Sequence, residues 1–262
     1  MGGFAHVECG SCGTLFVSPL PDAETIRQIY IQPDYHQAVE LSADRMLSEA
    51  RTRAQVLRDR GCRTVLEIGC GAGYFLDACG EIALQAEGVD GGPAAARARA
   101  RGLVVHDTWV DDFEPQSRVD ALALWEVIEH LPSPISVLRR LRTYVAPGAV
   151  LALSTPSWSG VPARVLRRRF PMITPPEHLT LFTRQGLQRL LARAGFRPFR
   201  WTSFSALDRP TLQRNFQRYF VGQSRAGLAV ASLAARAATL PVAWLDRAGL
   251  GTSFELYAEA TD

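Results

Sequence analysis

Between Glu67 and Gly73 the chain reads Glu-Ile-Gly-Cys-Gly-Ala-Gly, with three glycines spaced G-x-G-x-G directly after a short apolar run. Glycine accepts positive φ and carries no Cβ, so such a turn lets a ligand lie against the backbone. Seventeen residues after Gly73, a second apolar run ends in Asp90, a carboxylate suited to accept both hydroxyls of an unmodified ribose. A dinucleotide site wants G-x-G-x-x-G, to seat a pyrophosphate at a helix N-terminus. Here the third glycine comes one position early and Tyr74 fills the place of the last. With that bulk, a methionine-bearing nucleoside fits better than a diphosphate.

Other residues offer acid-base or metal chemistry. His178, in Pro-Pro-Glu-His-Leu-Thr-Leu-Phe, is a candidate general base for a hydroxyl or amine, since imidazole titrates near neutrality. Its alternative is to hold its own loop by a hydrogen bond, and the same alternative applies to His130 between Glu129 and Leu131. Cys9 and Cys12 are spaced as metal ligands, and His6 is a third candidate, but a structural zinc site needs four. No metal ligand is assigned and no stoichiometric zinc is expected. Arg164, Arg167, Arg168 and Arg169 read as a solvated helix face, with recognition of an acceptor phosphate or carboxylate as the alternative.

These residues need elements to hold them. From Arg63 onward, short apolar runs alternate with helical patterns of roughly 10–15 residues. Strands are expected in RTVLEIG, LQAEGVD, LVVHD, VDALALWEVIEH and AVLALSTPS, with helices at YFLDACGEIA, PAAARARARG and SPISVLRRLRTYVAPG, the last stopped by Pro147-Gly148. This alternation predicts a doubly wound α/β sheet with helices on both faces. A helix at TRQGLQRLLARAG and strands at FRPFRWTSF and FELYAEA complete it, with a mostly helical insertion at about 206–250 between those strands. Ahead of the sheet, the first 35 residues read as loop and turn plus a short helix announced by Pro21-Asp22, followed by a longer helix from about Ala38 to Arg60.

Composition sets the bounds. The 262 residues, 47% hydrophobic and 21% charged, exclude a largely disordered chain, a collagen and a polytopic membrane protein. All 29 basic residues are arginine, against 26 acidic ones, which excludes a P-loop lysine and lysine Schiff-base chemistry. A net charge of +3 gives no reason to expect nucleic acid. Five cysteines, with nothing like a signal peptide ahead of them, predict a reducing cytoplasm. The stretch from Gly227 to Leu245 approaches membrane-span length, but Arg236 and Pro241 interrupt it, so a buried helix pair is expected rather than stable membrane insertion.

The motifs VLEIGCGAG, GVD, EVIEHL and PGAVLALSTPS, in that order over about Arg63 to Phe196, resemble the class I S-adenosylmethionine-dependent methyltransferases, specifically their small-molecule branch. The resemblance implies a Rossmann-like sheet of seven strands, mostly parallel with one antiparallel strand. It also implies methyl transfer from S-adenosylmethionine to a small-molecule acceptor. Glu67, Gly69, Gly71 and Gly73 would surround the methionine part, and Asp90 would bind the ribose. Asp107, with Thr108 and Trp109, would meet the adenine, and Trp125 and Glu126 would line the sulfonium side. PP-x-HL-x-x-F, carried by Pro175, Pro176, His178, Leu179 and Phe182, belongs to the same resemblance and leaves His178 as the catalytic candidate. CGSCGTLFVSPLPDAETIRQIYIQPDYH is similar to the second half of an N-terminal zinc knuckle. Residues 1–60 are then expected as a degenerate knuckle with lid helices, in which Tyr30 and Tyr35 cover the cofactor entrance, and 61–262 as the cofactor-binding domain. The insertion would cap the acceptor pocket or make a homodimer contact. A non-catalytic S-adenosylmethionine-binding protein and a nicotinamide-dependent oxidoreductase remain the alternatives.

Overall fold

The computed structural model describes residues 3–32, 43–205, 213 and 224–262. Its main sheet has seven strands: β3 (Thr64–Ile68), β4 (Gln85–Val89), β5 (Val105–His106), β6 (Val119–Trp125), β7 (Val145–Pro156), β9 (Phe196–Phe204) and β10 (Ser253–Ala260). They lie in the order β5-β4-β3-β6-β7-β10-β9. The neighbouring pairs from β5 to β7 are parallel, and β10 is antiparallel to both β7 and β9. Strand order therefore reverses between β3 and β6, the place in an open α/β sheet where ligands enter at the carboxyl ends of strands.

Alternation along the strands divides two cores. On β6, Leu122 and Leu124 face one side and Ala121 and Ala123 the other. The first side is covered by α5 (Pro134–Arg142) and α7 (Arg184–Arg193), through Val137, Leu138, Leu141, Leu187 and Leu191. The second is covered by α2 (Ala43–Asp59) and α3 (Tyr74–Glu81), through Ala50, Ala54, Leu57, Phe75 and Ala78. A further helix, α4 (Ala95–Ala100), links β4 to β5. The proline-glycine stop expected after α5 is absent, because β7 begins before it. Val119 pairs with Val145 but Ala121 with Val150, so Ala146 to Ala149 bulge out of the ladder, where Pro147 sacrifices no bond.

The N-terminal segment is more ordered than its sequence suggests. Instead of loop, β1 (Ala5–Glu8) and β2 (Leu15–Ser18) form an antiparallel hairpin, with Leu15 and Val17 turned inward. β2 pairs in turn with β8 (Thr180–Leu181), Leu15 opposite Leu181, making a small second sheet with the segment that carries His178. Cys9 and Cys12 sit in the hairpin turn, closed by Cys9 N–H to the Thr14 carbonyl at 2.9 Å. The short helix α1 (Ala23–Tyr30) follows, capped by Asp22 accepting from the Thr25 N–H at 2.7 Å. Val17, Ile26 and Leu179 make its core with Tyr30. Tyr35 lies outside the described residues, as does much of the insertion.

The described part of the insertion corrects another expectation. The Gly227 to Leu245 stretch is one helix, α8 (Arg225–Arg247), not a buried pair, and Pro241 lies within it. Among its described residues, those buried are a stripe of small residues four apart, Gly227, Ala231 and Ala235, while Leu233 is 71% and Trp244 66% exposed. It is the one helix among the described residues long and apolar enough to cross a membrane. Leu122→Ala, in a side chain with no exposure, should therefore cost about 2–5 kcal/mol of stability, and Leu233→Ala should stay within about 0.5 kcal/mol, by urea denaturation. Equal losses would show that α8 packs into the main core.

Candidate active site

A cavity of about 630 Å³ opens at the carboxyl ends of β3, β4 and β6. Its floor is the glycine turn after β3. Gly69 has φ of 70°, and a Cβ there would stand 2.6 Å from the Val127 side chain. Gly73 caps α3 with φ of 80°, where a Cβ would strike Leu103 and Ala98. Gly69 and Gly71 line the cavity; Gly73 does not, and serves the close packing of α3 on the chain around α4.

Asp90 lines the cavity and ties two turns together. One carboxylate oxygen accepts from the Gly71 N–H and the other from the Gly92 N–H, both at 2.7 Å. A carboxylate is an acceptor-only group, the chemistry that ribose hydroxyls call for. The Gly91-Gly92 pair has a local reason as well. A Cβ on Gly91 would come within 3.1 Å of the Trp109 indole, so glycine lets that ring lie on the backbone. Thr108, Trp109 and Val110 form this wall.

Asp107 departs from its expected place beside an adenine. β5 ends at His106, and successive side chains alternate faces, so Asp107 turns toward α4 and pairs with Arg99 at 3.0 Å. Its side chain is 62% exposed and is not part of the cavity wall.

On the opposite wall polar groups are buried without compensation. Glu67 is fully enclosed, its Oε2 has no hydrogen-bond partner, and burial, reinforced by the Asp90 charge, pushes its carboxyl well above the usual range. Trp125 Nε1 is also buried without a partner. The Trp125 ring stacks edgewise on Phe75 at 5.4 Å and carries the Arg53 guanidinium at 4.4 Å. Arg53, which the motifs did not single out, is fixed by Glu255 at 2.9 Å. Glu126 sits at φ of 54°, its N–H bonded to Ser154, and burial raises its carboxyl too. Unsatisfied donors and acceptors in a cavity wall are unfavourable unless a ligand pairs them. An orphaned carboxylate oxygen beside a glycine turn fits the cationic methionine part of S-adenosylmethionine, and the Asp90 oxygens fit its ribose.

The far end of the cavity holds His130, His178, Glu129, Tyr30 and Met172. The His130 ring lies 4.8 Å from the His178 ring and meets Tyr30 edge-on at 5.5 Å. His130 Nδ1 donates to the Glu177 carbonyl at 3.0 Å, and burial, then the neighbouring His178, lowers its ionisation to about 3, which keeps it neutral. His178 Nδ1 donates to the Met172 carbonyl at 2.7 Å, which leaves its Nε2 as an acceptor. His6, a candidate third zinc ligand, instead bonds the His178 carbonyl through Nε2 at 2.9 Å. Glu129, fully buried, is not marked out by the sequence beyond being an acid that follows the apolar pair Val127-Ile128. Among the described residues the cavity wall contains none from α8.

Residues 35–199 match the family described as "Methyltransferase domain". The chain is 28% identical over 199 residues to a ubiquinone biosynthesis O-methyltransferase of Nitrobacter winogradskyi, covering 60% of this chain and 75% of that one. The protein of the same description from Stutzerimonas stutzeri is 29% identical over 102 residues, with only 44% of its length spanned. Among solved structures, an S-adenosylmethionine-dependent methyltransferase from Archaeoglobus fulgidus superposes with a TM-score of 0.54 at 19% identity, over 80% of this chain and 94% of that one. The plantazolicin methyltransferase BpumL, in complex with S-adenosylhomocysteine, gives 0.55 at 14% identity, over 91% and 98%. These neighbours share the fold, and the family match spans the glycine turn, Asp90 and the fourth parallel strand. The chain belongs to the methyltransferase domain family and is an enzyme that uses S-adenosylmethionine.

Proposed function

We propose that this enzyme methylates an oxygen of a small molecule bound at the His130 and His178 end of the cavity. The observation that carries this reading is the continuity of the cavity. The same half-open cavity is lined by the glycine turn and Asp90 and by the two imidazoles. Relatives described as O-methyltransferases support oxygen as the accepting atom. When bound, S-adenosylmethionine supplies a methyl group on a sulfonium, which is already a good leaving group. The protein's work is then alignment and exclusion of water. Trp109 and Asp90 hold the nucleoside, Glu67 and Trp125 the methionine side. The Nε2 of His178, its Nδ1 fixed by Met172, faces the acceptor oxygen and governs its ionisation. The reading includes a cytoplasmic location and neither nucleic acid nor a membrane span as partner.

Calorimetry should show binding of S-adenosylmethionine and S-adenosylhomocysteine and none of NAD; tighter binding of NAD would overturn the cofactor assignment. Asp90→Ala removes two charge-assisted hydrogen bonds to ribose, and should cost about 2–4 kcal/mol of cofactor affinity. Because Asp90 also ties Gly71 to Gly92, the comparison is made on protein shown to be folded by circular dichroism, and an unchanged Kd there would place the ribose elsewhere.

For the acceptor end, His178→Ala should lower kcat by roughly 10²–10⁴ while leaving cofactor Kd nearly unchanged. Loss of cofactor affinity or a clearly lower melting temperature would instead make His178 a residue that holds its loop. A protein that binds cofactor yet releases no S-adenosylhomocysteine with hydroxylated extracts of its source would favour the non-catalytic alternative.

A further inference from the structure

We propose that Glu129, His130 and His178 bind one divalent metal ion, and that the open positions of the ion take an oxygen of the methyl acceptor. The second half rests on the acceptor site proposed above; the first stands on geometry. One donor atom from each of the three side chains lies within 4.8 Å of the others. Ligands about 2.0–2.2 Å from a shared ion stand some 3–4 Å apart, so closing on an ion asks for side-chain shifts of about an ångström.

The hydrogen bonding is already that of metal ligands. Both imidazoles give their Nδ1 proton to a backbone carbonyl, His130 to Glu177 and His178 to Met172. A carbonyl only accepts, so each Nε2 keeps its lone pair, and metal-bound histidines are oriented in this way. Glu129 is anchored through Oε2, which accepts from the Thr155 hydroxyl at 3.0 Å. Its Oε1 is buried outside hydrogen-bond geometry, 3.8 Å from His130 Nε2, with the Glu126 carboxyl as its acidic neighbour. A carboxylate oxygen and an imidazole lone pair face each other in a dry site at a separation too long for a hydrogen bond, and a cation between them removes that cost. A proton held between Glu129 and Glu126 is the competing occupant.

Two imidazoles and one carboxylate select Zn²⁺ or its neighbours Mn²⁺, Fe²⁺ and Co²⁺, whereas Mg²⁺ and Ca²⁺ take oxygen ligands. Three protein ligands leave positions open, and the side that is open is the cavity that all three line. An acceptor hydroxyl placed there ionises more readily and loses its proton to solvent. Its oxygen then forms the C–O bond as the C–S bond breaks, and the electron pair of that bond stays on sulfur in S-adenosylhomocysteine. His178 would thus control acceptor ionisation through the ion rather than as a free base.

The test is a Co²⁺ titration of chelator-treated Cys9→Ser/Cys12→Ser protein, since the cysteine pair in the hairpin turn is another trap for transition metals. One Co²⁺ per chain is expected, with visible ligand-field bands. Glu129→Gln and His178→Ala, each folded by circular dichroism, should weaken its Kd by more than the roughly 10–100-fold lost when only a hydrogen-bonded neighbour of a ligand is removed. Catechol, a bidentate oxygen ligand, should shift the bands. Absence of Co²⁺ binding, or equal binding by both variants, overturns the metal site; bands indifferent to catechol overturn the acceptor's place on it. S-adenosylhomocysteine binding measured on the same samples separates these failures from failure of the methyltransferase reading.

Discussion

The carboxylate of Asp90 bonds the backbone of two different turns, Gly71 after β3 and Gly92 after β4, each at 2.7 Å. That pair of bonds fixes the distance between the carboxyl ends of the strands beside the reversal of strand order, where the cavity begins. Much else is arranged to permit it. The turn must be glycine because Val127 crowds Gly69, and because Gly73 starts α3 at a left-handed φ with Leu103 and Ala98 where a Cβ would stand. On the other side of Asp90, Gly91 leaves room for Trp109 to lie flat over the backbone. A single side chain thus serves as structural tie and, in the function proposed above, as ribose acceptor.

The opposite wall follows a different logic, in which stability is given up for binding. Glu67, Glu126 and Glu129 are buried, and burial is the first cause raising each of their ionisations. A carboxyl whose folded value exceeds its unfolded value binds protons more tightly when folded. Its contribution is fully present below the unfolded value, near pH 4.5, and is lost as pH rises through the folded one. Near neutrality these groups weaken the empty protein, and a cationic ligand that pairs them restores the loss through linkage. Arg53 offsets part of the cost, since its charge lowers Glu67 and Glu126 while Glu255 holds it in place over Trp125.

What could be read from the sequence follows from the range of the interactions involved. The seven strands, the glycine turn and Asp90 are local signals, written in periodicity and in residues a few positions apart. Asp107 turns to Arg99 and not to the cavity because β5 is only two residues long, and one step of alternation sends a side chain to the other face. The β7 bulge hid behind Pro147-Gly148, which reads as a stop when its partner strand is not known. In α8, Pro241 and Arg236 read as interruptions, yet both fit within a helix whose described buried residues are all small. Glu129 carried no motif of its own, and its surroundings depend on Thr155 and His178, which only the fold brings beside it and its neighbour His130.

The hairpin β1–β2 is the extreme case, since Leu15 pairs with Leu181 and only the fold brings them together. Its consequence is functional. The loop carrying His178 is held by the Val17 N–H on the Leu179 carbonyl at 2.8 Å, by His6 on the His178 carbonyl, and by the Tyr30 hydroxyl on the Glu177 carbonyl at 3.3 Å. From the other side, the Leu179 N–H bonds the Glu129 carbonyl at 2.9 Å. The backbone of residues 177–179 is thus clamped between the N-terminal hairpin and the turn after β6, and the two histidines meet because both partners of the clamp are in place. The segment that resembles half a zinc knuckle therefore acts here through its strands, which hold the 177–179 backbone, and through α1, whose Ile26 and Tyr30 line the cavity. Its two cysteines stay at the far tip of the hairpin. Shape at the proposed acceptor end is thus set largely by the hairpin, α1 and residues 177–179, elements separate from the glycine turn and Asp90, so a change there need not disturb either.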